Sequence, residues 1–241
     1  MLSWVFLIAQ NPNREEGYLR ICVPLYIASL TGDWETARRL IEENEDLAGC
    51  SITENNETTL HIAVSPKSTK LTEDFVRNLV GIMTDEQVQL QDQTGNTALG
   101  LAAIAGNVRI ARILVTHSRD LLNIRGGNGN TLPLYLAALY GRYDMVNYLY
   151  GESENLNDRF WNDEHCGWLL SKCLEADIHD IALKIVTNRP QLAATPSVLE
   201  VLAVLASKPT AFRDIEHKFI QRVIRAIRQC KYILHLTFNV I

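Results

Sequence analysis

The stretch GNTALGLAAIAGNVRIARILV, residues 95–115, decides the fold. It holds a turn, a short helix built on Ala102 and Ala103, a break at Gly106 and a second apolar helix. Together these make about one supersecondary unit of a repeat. Residues 129–149, GNTLPLYLAALYGRYDMVNYL, repeat the scheme, with Leu134 in the place of Leu99 and Ala137 in the place of Ala102, both 35 positions on. The spacing predicts an array of stacked units.

Working outward, PLYIASLTGDWETARRLI from Pro24 supplies Leu25, Ala28 and Gly32 in the same three places, and TTLHIAV from Thr58 supplies Leu60 and Ala63. The step from Leu60 to Leu99 is 39, because SPKSTKLTE (65–73) adds four residues before Phe75, Leu79 and Val80 resume the outer helix. Such an insertion only lengthens a surface loop. Beyond Leu134 the period reaches Leu169, in a unit where Lys172 takes the small-residue place, Ala176 the glycine's, and Cys173 the place of Ala138. A last partial unit, EVLAVLA, places Leu202 33 residues later.

Physically, the small residues let one inner helix pack closely on the next, and the glycines end those helices by accepting a left-handed conformation. Asp92 to Asn96 and Gly126 to Asn130 read as tight hairpin-like projections. The pairs Leu40/Ile41, Leu79/Val80, Ile113/Leu114 and Tyr148/Leu149 are expected to fill the shared core. No unit buries its own apolar face, so its neighbours must.

The 241 residues are 47% hydrophobic, enough for a real core, and a net charge of −5 gives no global attraction to nucleic acid. Five scattered cysteines (Cys22, Cys50, Cys166, Cys173, Cys230) without a CxxC pair suit reduced thiols in a cytosolic compartment. The opening MLSWVFLIAQ (1–10) has neither a basic leader nor a cleavage site and is too short to span a bilayer. Residues 1–23 are therefore read as an N-terminal extension or cap.

The TTLHIA, GNTALGLAAIAGN and PLYLAALYGR segments resemble the ankyrin repeat, with its T-P-L-H-x-A signature. The resemblance covers roughly Pro24 to Pro209, which places a repeat domain at 24–212, and it implies an all-α solenoid of helix-turn-helix units, about four clear and two degenerate. His61 alone keeps the signature histidine; Tyr26, Gly100 and Tyr135 stand in its place elsewhere, and Leu132 stands where a threonine is expected. The PLYIASLTGDWETA opening and LASKPTAF (205–212) are similar to plant ankyrin proteins with a C-terminal PGG transmembrane domain, absent here. That resemblance implies a signalling component at the cytoplasmic face of a membrane, and a chain that stops short of the membrane domain.

Residues 213–231 carry six Lys or Arg against two Asp or Glu, and Ile215, Phe219, Val223 and Ile227 recur every four residues. This predicts a basic amphipathic helix, followed by an uncharged tail to residue 241. It could cap the array, lie on anionic lipid or bind calmodulin.

For chemistry, His165, Cys166, Cys173 and His179 have ligand-type side chains, but their spacing matches no common zinc site, so a Cys/His metal enzyme ranks low. Gly126-Gly127-Asn128-Gly129 lacks the ending of a phosphate loop and reads as a turn. Neither a catalytic set nor a cofactor is expected. What remains is surface: repeat arrays bind partners along a concave face of turn tips and inner-helix ends. By register that face is Thr31, Asp33, Trp34, Glu54, Asn55, Gln93, Thr94, Ala105, Asn107, Asn128, Tyr140 and Arg142, with Tyr140 and Arg142 favoured as hot-spot types. The expectation is a non-enzymatic scaffold for an unidentified protein partner.

Overall fold

The computed structural model describes residues 17–65, 67–127, 131–156 and 160–194. It divides into two compact units, Met1–Leu136 and Ala137–Ile241. Among the described residues there are eleven α-helices and no strand: α1 (Val23–Thr31), α2 (Trp34–Glu43), α3 (Thr59–Val64), α4 (Lys70–Val80), α5 (Asp85–Val88), α6 (Ala98–Ala105), α7 (Val108–His117), α8 (Pro133–Leu139), α9 (Tyr143–Glu152), α10 (Asp163–Glu175) and α11 (His179–Asn188). None of these helices is long and apolar enough to cross a membrane. The Leu202 segment and residues 213–241 lie outside the described residues, as does residues 1–16 of the N-terminal extension.

In the first unit α1/α2, α3/α4 and α6/α7 are the expected inner and outer pairs. Local chemistry sets their ends. Thr58 and Thr97 cap α3 and α6 by accepting from the amides of His61 and Gly100, and Asp33 caps α2 by accepting from the Thr36 amide. Gly32 and Gly106 close α1 and α6 at φ 78° and 79°. In both cases the next residue's amide reaches back to the inner-helix alanine: Asp33 N to Ala28 O at 2.9 Å, and Asn107 N to Ala102 O at 3.0 Å. Gly32 has a second constraint, since a Cβ there would stand 2.7 Å from the backbone carbon of Leu71.

The residues added between α3 and α4 end in Thr69, which caps α4 in a reciprocal box with Thr72. Each outer helix then leads to a short hairpin with one antiparallel bridge: Ser51 with Thr58, Gln91 with Thr97, and Gly126 with Thr131. The hairpins approach so closely that a Cβ on Gly126 would lie 2.5 Å from Gly95 O.

Leu25, Leu60, Leu99 and Leu134 are all buried, as are Ala28, Ala63, Ala102 and Ala137. The outer pairs Leu40/Ile41 and Leu79/Val80 are buried as expected, but in α7 the pair falls one place later: Leu114 and Val115 are buried, whereas Ile113 is partly exposed. In the second unit the same holds for Leu149 and Tyr150 against Tyr148. An eight-residue step from the helix-ending glycine to the buried pair late in the outer helix, seen from Gly32 to Leu40/Ile41, recurs from Gly106 to Leu114/Val115.

The second unit also corrects the register after Leu134. The closing bond that joins Arg142 N to Ala137 O at 2.8 Å recurs between Ile178 N and Cys173 O at 2.7 Å, a step of 36. Cys173, wholly buried, therefore holds the place of Ala137, and Leu170 holds that of Leu134. Lys172 instead sits at the surface in a 2.6 Å pair with Glu175. The left-handed residue is Asp177 at φ 60°, not Ala176. Eight residues on, Ile185 and Val186 are buried as the new register requires.

Aspartate is among the few non-glycine residues that tolerate this conformation, at a cost. Asp177→Gly is accordingly expected to stabilise the protein by about 0.5 kcal/mol, the relief of strain exceeding the extra chain entropy of glycine. The exposed Asp177 carboxylate is 3.8 Å from His179 Nε2, too distant and too solvated to reverse that sign. A urea titration would show the midpoint rising at unchanged slope.

Candidate partner-binding surface

The hairpin tips of the first unit are built by short polar bonds. Asp92 Oδ1 accepts from the amides of Thr94 and Asn96 at 2.8 and 2.9 Å and from Thr94 Oγ1 at 2.7 Å, which winds the tip around one carboxylate. Neighbouring tips are then stitched together. Gln93 N donates to Asn55 O at 2.7 Å, and Gln91 Nε2 donates to both Gly95 O and Arg125 O at 2.6 and 2.7 Å. Glu54, Asn55, Gln93 and Thr94 project exposed side chains from this bonded backbone.

Beneath the tips, His61 is 1% exposed and bonded on both ring nitrogens. Nδ1 lies 3.3 Å from Thr58 N and 2.8 Å from Thr58 Oγ1, and Nε2 lies 3.1 Å from Asn96 O in the next repeat. An amide can only donate, so Nδ1 accepts and Nε2 carries the proton toward the Asn96 carbonyl. Burial holds the imidazole below its ordinary value of 6.5, in the neutral form this geometry needs. His61 is a structural link between repeats.

The other expected surface residues divide. Thr31 and Asp33 are exposed beside the α1–α2 turn, with Thr31 Oγ1 donating to Ile27 O at 2.9 Å. The bonds from Thr36 hold the Asp33 carboxyl below its usual range. Ala105 is partly exposed at the end of α6. Trp34 is a correction: it is half-buried, edge-on to Phe75 with ring centroids 5.7 Å apart, so packing occupies it. Asn107 is another. It is 9% exposed and its Nδ2 donates to Val64 O at 2.9 Å, answering a carbonyl at the end of α3. Asn128 lies outside the described residues.

In the second unit Tyr140 and Arg142 are exposed, with Tyr143 beside them donating from its hydroxyl to Asp180 Oδ2 at 3.1 Å. That bond raises the Tyr143 phenol above its ordinary value. Of the residues with metal-ligand chemistry, Cys173 is wholly enclosed and its thiol is pushed up to about 12 by burial. His165 packs on Trp168, with ring centroids 5.4 Å apart. Among the described residues no three His, Cys, Asp or Glu side chains are grouped to hold a metal ion.

The family described as "Ankyrin repeats (3 copies)" matches residues 69–159. Residues 69–159 of this chain carry ankyrin repeats. NF-kappa-B inhibitor cactus of Drosophila yakuba is 28% identical over 133 residues, covering 55% of this chain and 25% of the relative. The protein of the same name in Drosophila melanogaster is 27% identical over 133 residues, covering 55% and 24%. The chain thus spans about a quarter of the length of these curated relatives. The matched residues contain the hairpins at Gln91–Thr97 and Gly126–Thr131 and the helix pair α6/α7, and the same scheme of hairpin and paired helices precedes them. The plant PGG context finds no counterpart in these likenesses.

Proposed function

We propose that the chain is a protein-interaction scaffold and not an enzyme, and that its ankyrin repeats present the hairpin tips to a protein partner. The observation that carries this is the stitching of the tips: Gln93 N to Asn55 O and Gln91 Nε2 to Arg125 O hold Glu54, Asn55, Gln93 and Thr94 at fixed spacing while leaving their side chains exposed. Preordered polar and apolar groups lose little conformational freedom on binding, which is what makes a surface selective. Tyr140 and Arg142 form a second patch of residue types favoured at binding hot spots. Similarity to an inhibitor protein supports a role in signalling, exerted by binding.

The test is affinity capture with the wild type, with Glu54→Ala/Gln93→Ala/Thr94→Ala and with Tyr140→Ala/Arg142→Ala. Each truncation is at an exposed site, so folding should persist. The expected result is loss of at least one captured protein in one of the variants. Retention of every partner by both folded variants would remove these patches as the interface.

A second reading rests on the six basic residues of 213–231 and their four-residue apolar recurrence. It makes that segment a ligand for calmodulin or for an anionic cytoplasmic membrane surface. Co-sedimentation with anionic liposomes, with and without residues 213–241, distinguishes it from a cap: loss of a cap lowers stability and leaves lipid binding unchanged.

A further inference from the structure

Between the outer helices α4 and α7 of the first unit lies an open groove of about 560 Å³. One wall carries Glu73, Arg77 and Val80 at helical spacing, and the other carries Arg109, Arg112 and Ile113. Three guanidinium groups therefore face one carboxylate, in a chain whose net charge is −5. That carboxylate is committed locally: Glu73 Oε1 accepts from Ser68 Oγ at 2.7 Å and from Arg109 Nη1 at 3.3 Å, and these partners hold it ionised. His117 at the end of the groove has Asp85 at 3.7 Å. The floor between the cations is aliphatic, with Val80 buried and Ile113 partly exposed.

We propose that this groove binds an acidic peptide segment of a partner protein, its carboxylates meeting Arg77 and Arg112 and an aliphatic side chain resting on Val80 and Ile113. Charge complementarity selects the ligand, because guanidinium groups pair with carboxylates by two parallel bonds. The recess selects a chain over a membrane: an extended peptide enters between two helices, whereas a lipid surface meets protruding cations. The groove lies on the outer helices, away from the hairpin tips, and is independent of the interface proposed above.

The test uses fluorescence anisotropy of a short fluorescein-labelled peptide of repeated Glu-Glu-Leu with the full chain. Arg77→Gln/Arg112→Gln is expected to weaken binding about tenfold, while Arg20→Gln/Arg39→Gln, the same charge change on exposed sites elsewhere, leaves it unchanged. Circular dichroism melts check that both variants fold. Should the groove variant unfold, the wild type decides alone, since a Gln-Gln-Leu probe should bind about tenfold more weakly than the acidic one. Equal loss in both variants, or equal binding of the two probes, overturns the proposal. So does groove-dependent sedimentation with phosphoinositide vesicles in the absence of peptide binding.

Discussion

Gly32→Ala should lower stability by about 3 kcal/mol or more, the sum of left-handed strain and a backbone clash. Gly32 ends α1 at φ 78°, where any Cβ crowds the following carbonyl oxygen. The new methyl would also stand 2.7 Å from Leu71 C, 2.8 Å from Thr72 N and 2.9 Å from Leu71 O. All three are backbone atoms of the next outer helix, which cannot swing aside as a flexible side chain would. Gly141 supplies the comparison, because it has φ 63° but only the Ala176 Cβ within reach, at 3.8 Å. Gly141→Ala should therefore show the conformational part alone, about 1–2 kcal/mol. Urea titrations of the two variants separate the terms. Equal costs would mean that α4 yields at no penalty.

The contrast also explains what could be read from the amino-acid order. Leu25, Leu60, Leu99 and Leu134, with Ala28, Ala63, Ala102 and Ala137 three places on, announce the array because each must be apolar and each is buried. The period stops being legible where the marker residues change type. In α10 both Leu169 and Leu170 are buried, so the leucine no longer distinguishes two registers one residue apart. Only the closing bond from Ile178 N to Cys173 O decides between them, and a backbone bond has no letter of its own. Asp177 compounds this, because a left-handed aspartate looks like any surface acid. The hairpin tips were readable from Asp, Gly and Asn spacing, whose turn chemistry is local.

The surface was less legible than the core. Register places Trp34 and Asn107 at exposed ends of elements, yet each has a partner one repeat away: Phe75 for the ring, Val64 O for the amide. The large ring and the side-chain amide are the signals, since both groups seek partners when half-covered. The groove cations Arg77, Arg109 and Arg112 escaped for a related reason. They lie on two helices separated by more than twenty residues, where each reads as an ordinary solvated charge. Their juxtaposition follows from the packing of α4 on α7, where Arg77 and Arg112 stand 35 positions apart.

His61→Ala is the second large expected loss, about 3 kcal/mol, because it opens a cavity, strands the Thr58 amide and removes the link to Asn96 O, which keeps only its 2.9 Å bond from Asp92 N. His61→Leu fills most of the space and restores no hydrogen bond, so it should recover only the cavity share. The two variants also carry a pH signature. In the folded chain the imidazole is held below 6.5, chiefly by desolvation, while the unfolded chain titrates at its ordinary value. The unfolded state thus binds more protons between the two values, and stability rises with pH across that window. His61's contribution is complete above 6.5 and is lost as the pH falls below it. Asp33 and Glu73 also have lowered values, but their unfolded forms titrate at 3.8 and 4.5, so their losses come at lower pH. Just below pH 6.5 the slope of unfolding free energy should therefore flatten in both His61 variants relative to wild type. A wild-type slope that survives the substitution would assign the titration to another group and return His61 to a purely packing role.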